Sequence, residues 1–313
     1  MAQSPRKAAN LRVGTRGSPL ALAQANMVRD ALASAHGLDV AGIEIVVIRT
    51  SGDRIQDRPL ADAGGKGLFT KEIEDALLGG EVDLAVHSAK DLTTLLPPGL
   101  IVAACLPRED ARDAFISRKA ADLSTLPKGA TLGTASLRRA AQAKRLRSDL
   151  IIVPLRGNVE TRLRKLDEGG MDATILALAG LKRLGRADAA TAILETDYFL
   201  PAVGQGAIAL QARESDEPTR EALAAINHPA TIIALVAERA FLAMLDGSCR
   251  TPIAGHAVVS NDRLQLRGMI IRPDGSEAHE TVREGHVREA AALGADAGRE
   301  LRGRGGGDFF KGS

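Results

Sequence analysis

The chain alternates short apolar runs with longer amphipathic stretches, and this alternation predicts an α/β fold. The short runs are rich in Val, Ile and Leu, as expected of strands inside a sheet. The stretches between them repeat their apolar positions at helical spacing. The predicted strands are residues 11–15, 43–50, 83–87, 113–117, 131–133, 150–154 and 173–177.

Three of the predicted helices begin at residues suited to cap a helix N-terminus. Ser18 stands before Pro19, so the serine can accept a hydrogen bond from the first turn while proline occupies the first helical position. Ser136 and Asn158 are the corresponding residues of two later helices. The predicted helices are residues 18–35, 69–78, 136–147 and 158–168.

A chain of 313 residues is too long to fold around a single hydrophobic core, and the pattern of elements divides it into three predicted domains. Beyond residue 227, a long helix, three β-like runs and a closing helix indicate a small α+β domain. Glycines and scattered charges at residues 51–67 predict a long mobile loop. The predicted domains are residues 10–106 plus 207–224 (α/β), 112–200 (α/β) and 228–306 (α+β), with a flexible tail at 307–313.

The composition excludes several classes of protein. Aromatic residues are scarce, with Trp 0, Tyr 1 and Phe 6, so few side chains could stack on nucleic-acid bases. The net charge of +2 does not indicate a general polyanion binder. Two cysteines, Cys105 and Cys249, form neither a disulfide framework nor a zinc ligand set. With no membrane-length apolar run and no signal-peptide core, we expect a cytoplasmic protein without nucleic-acid, membrane or metal partners.

Several arginines lie at predicted helix starts, where the helix dipole disfavours positive charge by about 0.3–1 kcal/mol per group. Arg138 and Arg139 follow the Ser136 cap, Arg16 precedes the Ser18 cap, and Arg162 follows Asn158. Any one of these arginines by itself is better explained as a solvated side chain over apolar surface. Three helix starts together favour a bound anion, which guanidinium and backbone N–H groups can share. The sequence therefore predicts two lobes that bind a ligand with several carboxylates or phosphates.

Other candidate residues leave alternatives open. Asp91 follows a predicted strand and is either an acid–base or charge-stabilising group or a turn cap. His87 fits a buried, hydrogen-bonded histidine better than a catalytic base. The glycines around Lys66 lack the full phosphate-loop spacing and fit a hinge that presents the lysine to a ligand. Cys249 lies in a turn-rich stretch, where it is either inert or available for covalent chemistry, whereas Cys105 fits buried packing.

Nine segments, in their order and spacing along nearly the whole chain, resemble the porphobilinogen deaminase family. They are TRGSPLALAQA, GGKGLFTKEIE, DLAVHSAKDL, REDARDAFIS, GTASLRRAAQ, LRGNVETRLRKLD, LALAGLKRLG, LPAVGQGA and AERAFLAMLDGSCRTPIAGHA. The resemblance implies three domains, of which the first two are similar to periplasmic-binding-protein lobes; the third corresponds to the small α+β domain that the pattern predicts.

The resemblance also implies the reaction and its cofactor. Members of the family are monomeric transferases of tetrapyrrole (haem and chlorophyll) biosynthesis. They join four porphobilinogen units head to tail, lose ammonia at each step and release hydroxymethylbilane with water. The growing chain is built on a dipyrromethane cofactor, which a thioether attaches to the cysteine that matches Cys249.

Site residues carried over from the family follow the same resemblance. Asp91 matches the catalytic aspartate, which stabilises positive pyrrole nitrogens as ammonia leaves and assists proton loss. Six arginines match groups that bind the acetate and propionate side chains of the pyrroles: Arg16, Arg138, Arg139, Arg156, Arg162 and Arg183. Further polar ligands of the cofactor or substrate are Lys66, Ser88, Lys90, Thr134 and Ser136.

Two other classes compete with this interpretation. A non-catalytic protein with two lobes closing on a polyanion would explain the arginines, but it has no use for Cys249 or Asp91. A cysteine-nucleophile hydrolase would need a base beside the thiol, and no histidine can be assigned to Cys249 from the sequence. Substitution of Cys249 or Asp91 separates these classes, because only the deaminase should lose turnover while a binding protein keeps its ligand affinity.

Overall fold

The structure is a computed structural model that describes residues 11–54, 67–245 and 251–310. Its strands, in chain order, are β1 (Arg12–Thr15), β2 (Glu44–Val47), β3 (Leu84–Ser88), β4 (Leu100–Cys105), β5 (Asp113–Ser117), β6 (Thr131–Gly133), β7 (Ile151–Val153), β8 (Ala173–Ala177), β9 (Ala192–Leu194), β10 (Ile208–Arg213), β11 (Ile253–Ser260), β12 (Arg263–Ile271) and β13 (Ala278–His286). Its α-helices are α1 (Pro19–His36), α2 (Ser51–Arg54), α3 (Lys71–Leu78), α4 (Leu137–Leu146), α5 (Val159–Asp167), α6 (Leu178–Arg183), α7 (Glu217–Ala224), α8 (Pro229–Met244) and α9 (Ala290–Gly305).

The described residues fall into two compact units, one within Met1–Arg108 and Ala207–Ile232, the other within Glu109–Gly206 and Ile233–Ser313. The first unit holds a five-stranded sheet of order β2-β1-β3-β10-β4. Strand β1 is parallel to β2 and β3, whereas β10 is antiparallel to β3 and β4. Helix α1 covers one face of this sheet with Ala25, Val28 and Leu32.

The second unit repeats this arrangement with a sheet of order β7-β6-β8-β5-β9, in which β6 is parallel to β7 and β8 while β5 is antiparallel to β8 and β9. The same unit contains the antiparallel sheet β11-β12-β13, whose apolar face packs with α8 and α9. The turn between β12 and β13 approaches α4 so closely that a Cβ on Gly275, where φ is +80°, would lie 2.7 Å from the carbonyl oxygen of Ala141.

The predicted fold class is confirmed: two α/β sheets precede a smaller α+β region. The predicted strands 113–117, 131–133 and 173–177 have the bounds of β5, β6 and β8. Strands β4 and β9 and helix α7 were not predicted. The three domain boundaries stay a prediction. Apart from Ser51–Arg54 and Gly67, the predicted mobile loop lies outside the described residues.

Candidate functional site

Polar residues of the first unit gather where the parallel strands β1 and β3 end. Arg16 directly follows β1, Ser88 is the last residue of β3, and Asp91 ends the short 3-10 turn Ala89–Asp91. Carboxyl ends of parallel strands lie at one edge of a sheet, which is where α/β proteins place ligands. All three residues line one small pocket of about 50 Å³, together with residues from α1 and from the chain before α3.

The Arg16 guanidinium lies over the ring of Phe69, with 4.1 Å between its central carbon and the ring centroid. Such a cation–π contact uses the face of the guanidinium, whereas the N–H donors lie in its plane. The stacking therefore restricts the directions in which the Arg16 guanidinium and its in-plane donors can turn. Phe69 was not predicted as a site residue, although it also lines the pocket.

Asp91 is partly buried in this pocket. Its carboxylate makes no hydrogen bond or ion pair within residues 11–54, 67–245 and 251–310. A cap or turn role would require such a bond to the backbone, so the structural alternative left open by the sequence has no support here. Lys90 precedes Asp91 in the same turn and is also partly buried.

Gln24 is a second site residue that sequence reasoning missed. Its side chain is 2% exposed and is joined to the Ser88 side chain by hydrogen bonds of 2.9 and 3.1 Å. The available signal was position, because Gln24 lies on the helical face that carries Val28 and Leu32, both fully buried. A polar residue in an apolar stripe needs a buried partner.

His87 is 5% exposed and lines the same pocket. Burial lowers the pKa of His87 to about 4, the nearby Gln211 amide opposes this shift, and the positive charge of Arg16 adds to it. Even so, no well-formed hydrogen bond joins the two side chains, since His87 Nε2 and Gln211 Oε1 are both buried without a partner. The imidazole is thus neutral at pH 7. The sequence-based expectation of a buried histidine is correct, but the expected hydrogen bond is not formed at Nε2.

In the second unit, the predicted polar residues gather at the start of α4. Ser136 caps this helix by accepting a hydrogen bond from the Arg139 backbone N–H at 3.4 Å. The hydroxyl of Thr134 accepts a bond from the Ser136 N–H at 3.1 Å. The predicted N-caps Ser18 and Asn158 are confirmed as well.

Arg138 and Arg139 share one buried carboxylate, that of Asp113 at the start of β5. Arg138 Nη2 donates to Asp113 Oδ2 at 2.8 Å, and Arg139 Nη2 donates to Asp113 Oδ1 at 2.7 Å. Asp113 is fully buried, and the arginines are 5% and 6% exposed. Burial alone would raise the pKa of Asp113, but the two guanidinium charges outweigh it and lower the pKa to about 2.

This ion-paired cluster was not anticipated from the sequence. Its signal was a carboxylate opening the otherwise apolar run DAFIS. Because two guanidiniums face one carboxylate, the cluster keeps one net positive charge at the start of α4. Arg138 Nη1 also donates to the Leu200 carbonyl at 2.8 Å, whereas its buried Nε has no partner.

The other predicted arginines of the second unit lie outside helix α4. Arg156 follows β7 and is partly buried. Arg162, in the first turn of α5, donates from Nε to the Gly157 carbonyl at 2.8 Å. Arg183 ends α6 and donates from Nη2 to the Gly206 carbonyl at 2.6 Å, while its buried Nε has no partner. Burial lowers the pKa of Arg183, and the charge of Glu109 opposes the shift.

Two predicted site residues, Lys66 and Cys249, lie outside the described residues. Within the described part of the chain, no three His, Cys, Asp or Glu side chains are grouped as metal ligands would be. None of the helices described is both long and apolar enough to span a membrane.

These features define a class: an α/β protein with arginines and a carboxylate at its strand ends, suited to an anionic small molecule. The sequence model "Porphobilinogen deaminase, dipyromethane cofactor binding domain" matches residues 11–221, and "Porphobilinogen deaminase, C-terminal domain" matches residues 232–303. The chain belongs to the porphobilinogen deaminase family. This membership confirms the predicted transferase class and the predicted dipyrromethane-binding domain.

Curated relatives agree over nearly the full chain. The porphobilinogen deaminase of Nitrobacter winogradskyi is 63% identical over 298 residues, which are 95% of this chain and 94% of the relative. That of Paracoccus denitrificans is 54% identical over 310 residues, 99% of each chain.

Among solved structures, the chain is similar to the methionine binding protein MetQ, with a TM-score of 0.45, 14% identity, and coverage of 70% of this chain and 91% of that one. A periplasmic substrate-binding protein of an ABC transporter from Coxiella burnetii gives a TM-score of 0.42 at 16% identity, covering 71% of this chain and 94% of that one. Likeness at this level carries no inference about ligand or activity.

Proposed function

We propose that this chain condenses four porphobilinogen units head to tail, with loss of ammonia, and releases hydroxymethylbilane. The observation that carries the proposal is the pocket in which Asp91, without a partner among the described residues, lies with the stacked guanidinium of Arg16. Family membership supplies the reaction, and this pocket supplies the two kinds of group that the reaction requires: a carboxylate for cationic pyrroles and a guanidinium for their carboxylate side chains.

The residues present fit a dipyrromethane cofactor. Its acetate and propionate groups need guanidinium and hydroxyl donors, and the first unit offers Arg16 and Ser88 at one strand edge. In the second unit, the start of α4 keeps a net positive charge, and the buried Nε atoms of Arg138 and Arg183 have no partner in the described part of the chain. When bound through Cys249, the cofactor supplies the pyrrole to which the first substrate unit is joined.

Asp91 then performs two tasks. Its carboxylate oxygens accept hydrogen bonds from pyrrole N–H groups and stabilise the positive charge that develops on the ring as ammonia leaves. The same carboxylate assists removal of the proton that must be lost after the new carbon–carbon bond has formed. Arg16 holds a carboxylate side chain of the pyrrole, and its stacking on Phe69 limits the directions in which the guanidinium can turn.

The other predicted ligands have supporting roles in this proposal. Lys90 and Ser88 contribute donors beside Asp91, and Thr134 and Ser136 contribute hydroxyl groups at the start of α4. Arg139, Arg156, Arg162 and Lys66 are further carboxylate ligands. We also propose that the enzyme acts as a cytoplasmic monomer, which sedimentation of the purified protein and fractionation of cells would test.

The test is the intact mass of the purified protein, measured before and after incubation with porphobilinogen, with Cys249→Ser as control. We expect the mass of the wild-type protein to include a covalent dipyrromethane, absent from Cys249→Ser, and to increase in pyrrole-sized steps with substrate. An unmodified mass that substrate does not change would contradict the proposal and leave a polyanion-binding protein as the better interpretation. If the added mass were lost in Cys105→Ser but not in Cys249→Ser, the cofactor would be attached to Cys105.

A further inference from the structure

The two five-stranded sheets can be aligned residue by residue through their pairing registers. In the first, Ser88 ends β3 opposite Ile208, so His87 is the penultimate residue and lies opposite Ala209. In the second, Ala177 ends β8 opposite Asp113, and Leu176 is the penultimate residue opposite Ala114. His87 and Leu176 therefore occupy equivalent positions.

The same alignment places Gln211 of β10 at the position of Ile116 in β5. Leu176 and Ile116 are buried, 3% and 0% exposed, which shows that this position pair is compatible with apolar side chains in a sheet of this topology. His87 and Gln211 are equally buried, at 5% and 0%. The first sheet thus buries polar side chains at two positions where the second sheet buries apolar ones.

These polar groups belong to a cluster that extends to α3. Gln211 Nε2 donates to Glu74 Oε1 at 3.1 Å, and the Thr70 hydroxyl donates to Glu74 Oε2 at 3.4 Å. Thr70 is fully buried, and Glu74 is 5% exposed. Even so, His87 Nε2 and Gln211 Oε1 have no partners within residues 11–54, 67–245 and 251–310. Buried polar atoms without partners destabilise the folded state, so the fold alone gives no reason for them.

The cluster adjoins the candidate site at its arginine. Thr70 directly follows Phe69, the ring on which Arg16 stacks at 4.1 Å. His87 and Thr70 both line the pocket that contains Arg16 and Asp91. The positive charge of Arg16 also contributes to the lowered pKa of His87.

We propose that His87 is a positioning residue of this site, which acts through Arg16, and that the buried cluster of Thr70, Glu74, Gln211 and His87 serves the site at a cost to the stability of the fold. The cluster anchors the segment that carries Phe69 beneath the guanidinium. The uncharged imidazole fills the space beside Arg16 with a polar edge without adding a competing positive charge. This proposal rests on the proposed function, because Arg16 is taken to bind a substrate carboxylate.

The test is His87→Leu, which gives the first sheet the leucine that the second sheet has at the equivalent position. This substitution leaves no newly unpaired atom, since Gln211 Oε1 already lacks a partner. We expect an unchanged or higher melting temperature, retention of the covalent cofactor, and a fall of about tenfold or more in kcat/KM for porphobilinogen, mainly through a higher KM. His87→Asn, which keeps a neutral hydrogen-bonding group, should recover kcat/KM to within about threefold of wild type.

A matched control is Leu176→Met, which repacks the equivalent position of the second sheet and should leave kcat/KM unchanged. A double-mutant cycle with Arg16→Lys tests the route of action, since the two losses should be non-additive if His87 works through Arg16. If His87→Leu does not accumulate as folded protein, His87→Asn replaces it in the cycle with Arg16→Lys.

Wild-type kcat/KM in His87→Leu would overturn the proposal, as would equal losses in the Leu and Asn variants accompanied by a lower melting temperature. Fully additive losses in the cycle would exclude action through Arg16. Failure of the proposed function looks different, because the wild-type protein itself would then carry no dipyrromethane and consume no porphobilinogen.

Discussion

The two five-stranded sheets share one strand order but handle buried charge in opposite ways. In the second sheet, Asp113 opens the antiparallel strand and neutralises one of two arginines at the start of α4. In the first, the equivalent residue is Ile208, and Leu20 and Ala21 follow the helix cap where Arg138 and Arg139 follow it in the second.

The difference shows that topology alone does not specify a site. The second sheet places its arginines inside a preformed ion-paired cluster, which orients them before any ligand arrives. The first sheet instead exposes Asp91 to a pocket without a protein partner in the described part of the chain. We infer that Asp113 holds Arg138 and Arg139 rigid in the second unit, whereas the Asp91 carboxylate in the first unit is left available to a ligand.

The largest expected effect is that of Asp91→Asn, which removes the charge but keeps the shape of the side chain. We expect kcat for porphobilinogen to fall by about a thousandfold or more, equivalent to about 4 kcal/mol. The fold and the covalent cofactor should be retained, as circular dichroism and intact mass would show. Asp188→Asn, at an exposed aspartate of the second unit, is the charge-matched control. Wild-type turnover in Asp91→Asn would refute the assigned role.

Next in size is Asp113→Ala, which leaves two buried guanidiniums without their counter-ion. The free energy of unfolding should fall by about 4 kcal/mol, because an uncompensated buried charge costs more than the pair contributes. Urea denaturation would measure the loss.

The comparison of the sheets supplies the control for that experiment. Asp113→Ile combined with Arg138→Leu and Arg139→Ala copies the pattern of Ile208, Leu20 and Ala21, and it should regain most of the lost stability. If this triple variant is as unstable as Asp113→Ala, the cluster is not the cause of the loss.

A pH dependence should distinguish the first sheet. The pKa of His87 is lowered to about 4, so between that pH and its ordinary value of 6.5 the unfolded chain binds a proton that the folded chain does not. Above pH 6.5, protonation of His87 therefore does not affect the free energy of unfolding. As the pH falls from 6.5 to 4, this protonation lowers the free energy of unfolding by about 3 kcal/mol.

Denaturation of wild type and His87→Leu at pH 7 and pH 4.5 would measure this contribution. The wild type should lose more stability than the variant; the other charged groups to consider are Arg16, whose charge also lowers the pKa of His87, and Glu74, which is hydrogen-bonded to Gln211. Equal losses in the two proteins would show that His87 does not titrate in the folded state as described.

The smallest expected effect concerns the helix caps, in which the two units are alike. Ser18 accepts from the Ala21 N–H at 3.3 Å, and Ser136 accepts from the Arg139 N–H at 3.4 Å. Ser18→Ala and Ser136→Ala should each lower the free energy of unfolding by about 1 kcal/mol. A clearly larger loss at Ser136 would indicate that the cap also orients the arginines of the cluster.

Local sequence determined much of the architecture and part of the site. The caps at Ser18, Ser136 and Asn158 depend on residues within a few positions of one another, so their hydrogen bonds could be predicted. Short runs of mostly apolar or β-branched residues located β5, β6 and β8, because such side chains suit strands buried in a sheet. The positions of Arg16 and Asp91 just beyond strands likewise placed them at a ligand-binding edge.

Tertiary structure alone decided which distant residues became partners. Asp113 meets Arg138 only because β5 inserts antiparallel beside β8, and Gln24 meets Ser88 only because α1 packs on β3. The insertion of β10 between β3 and β4 brings Gln211 to Glu74 across 137 positions of sequence. Pairings of this kind depend on strand order and register, which no short window of residues encodes, since their energy comes from burial that exists only once the sheets have formed.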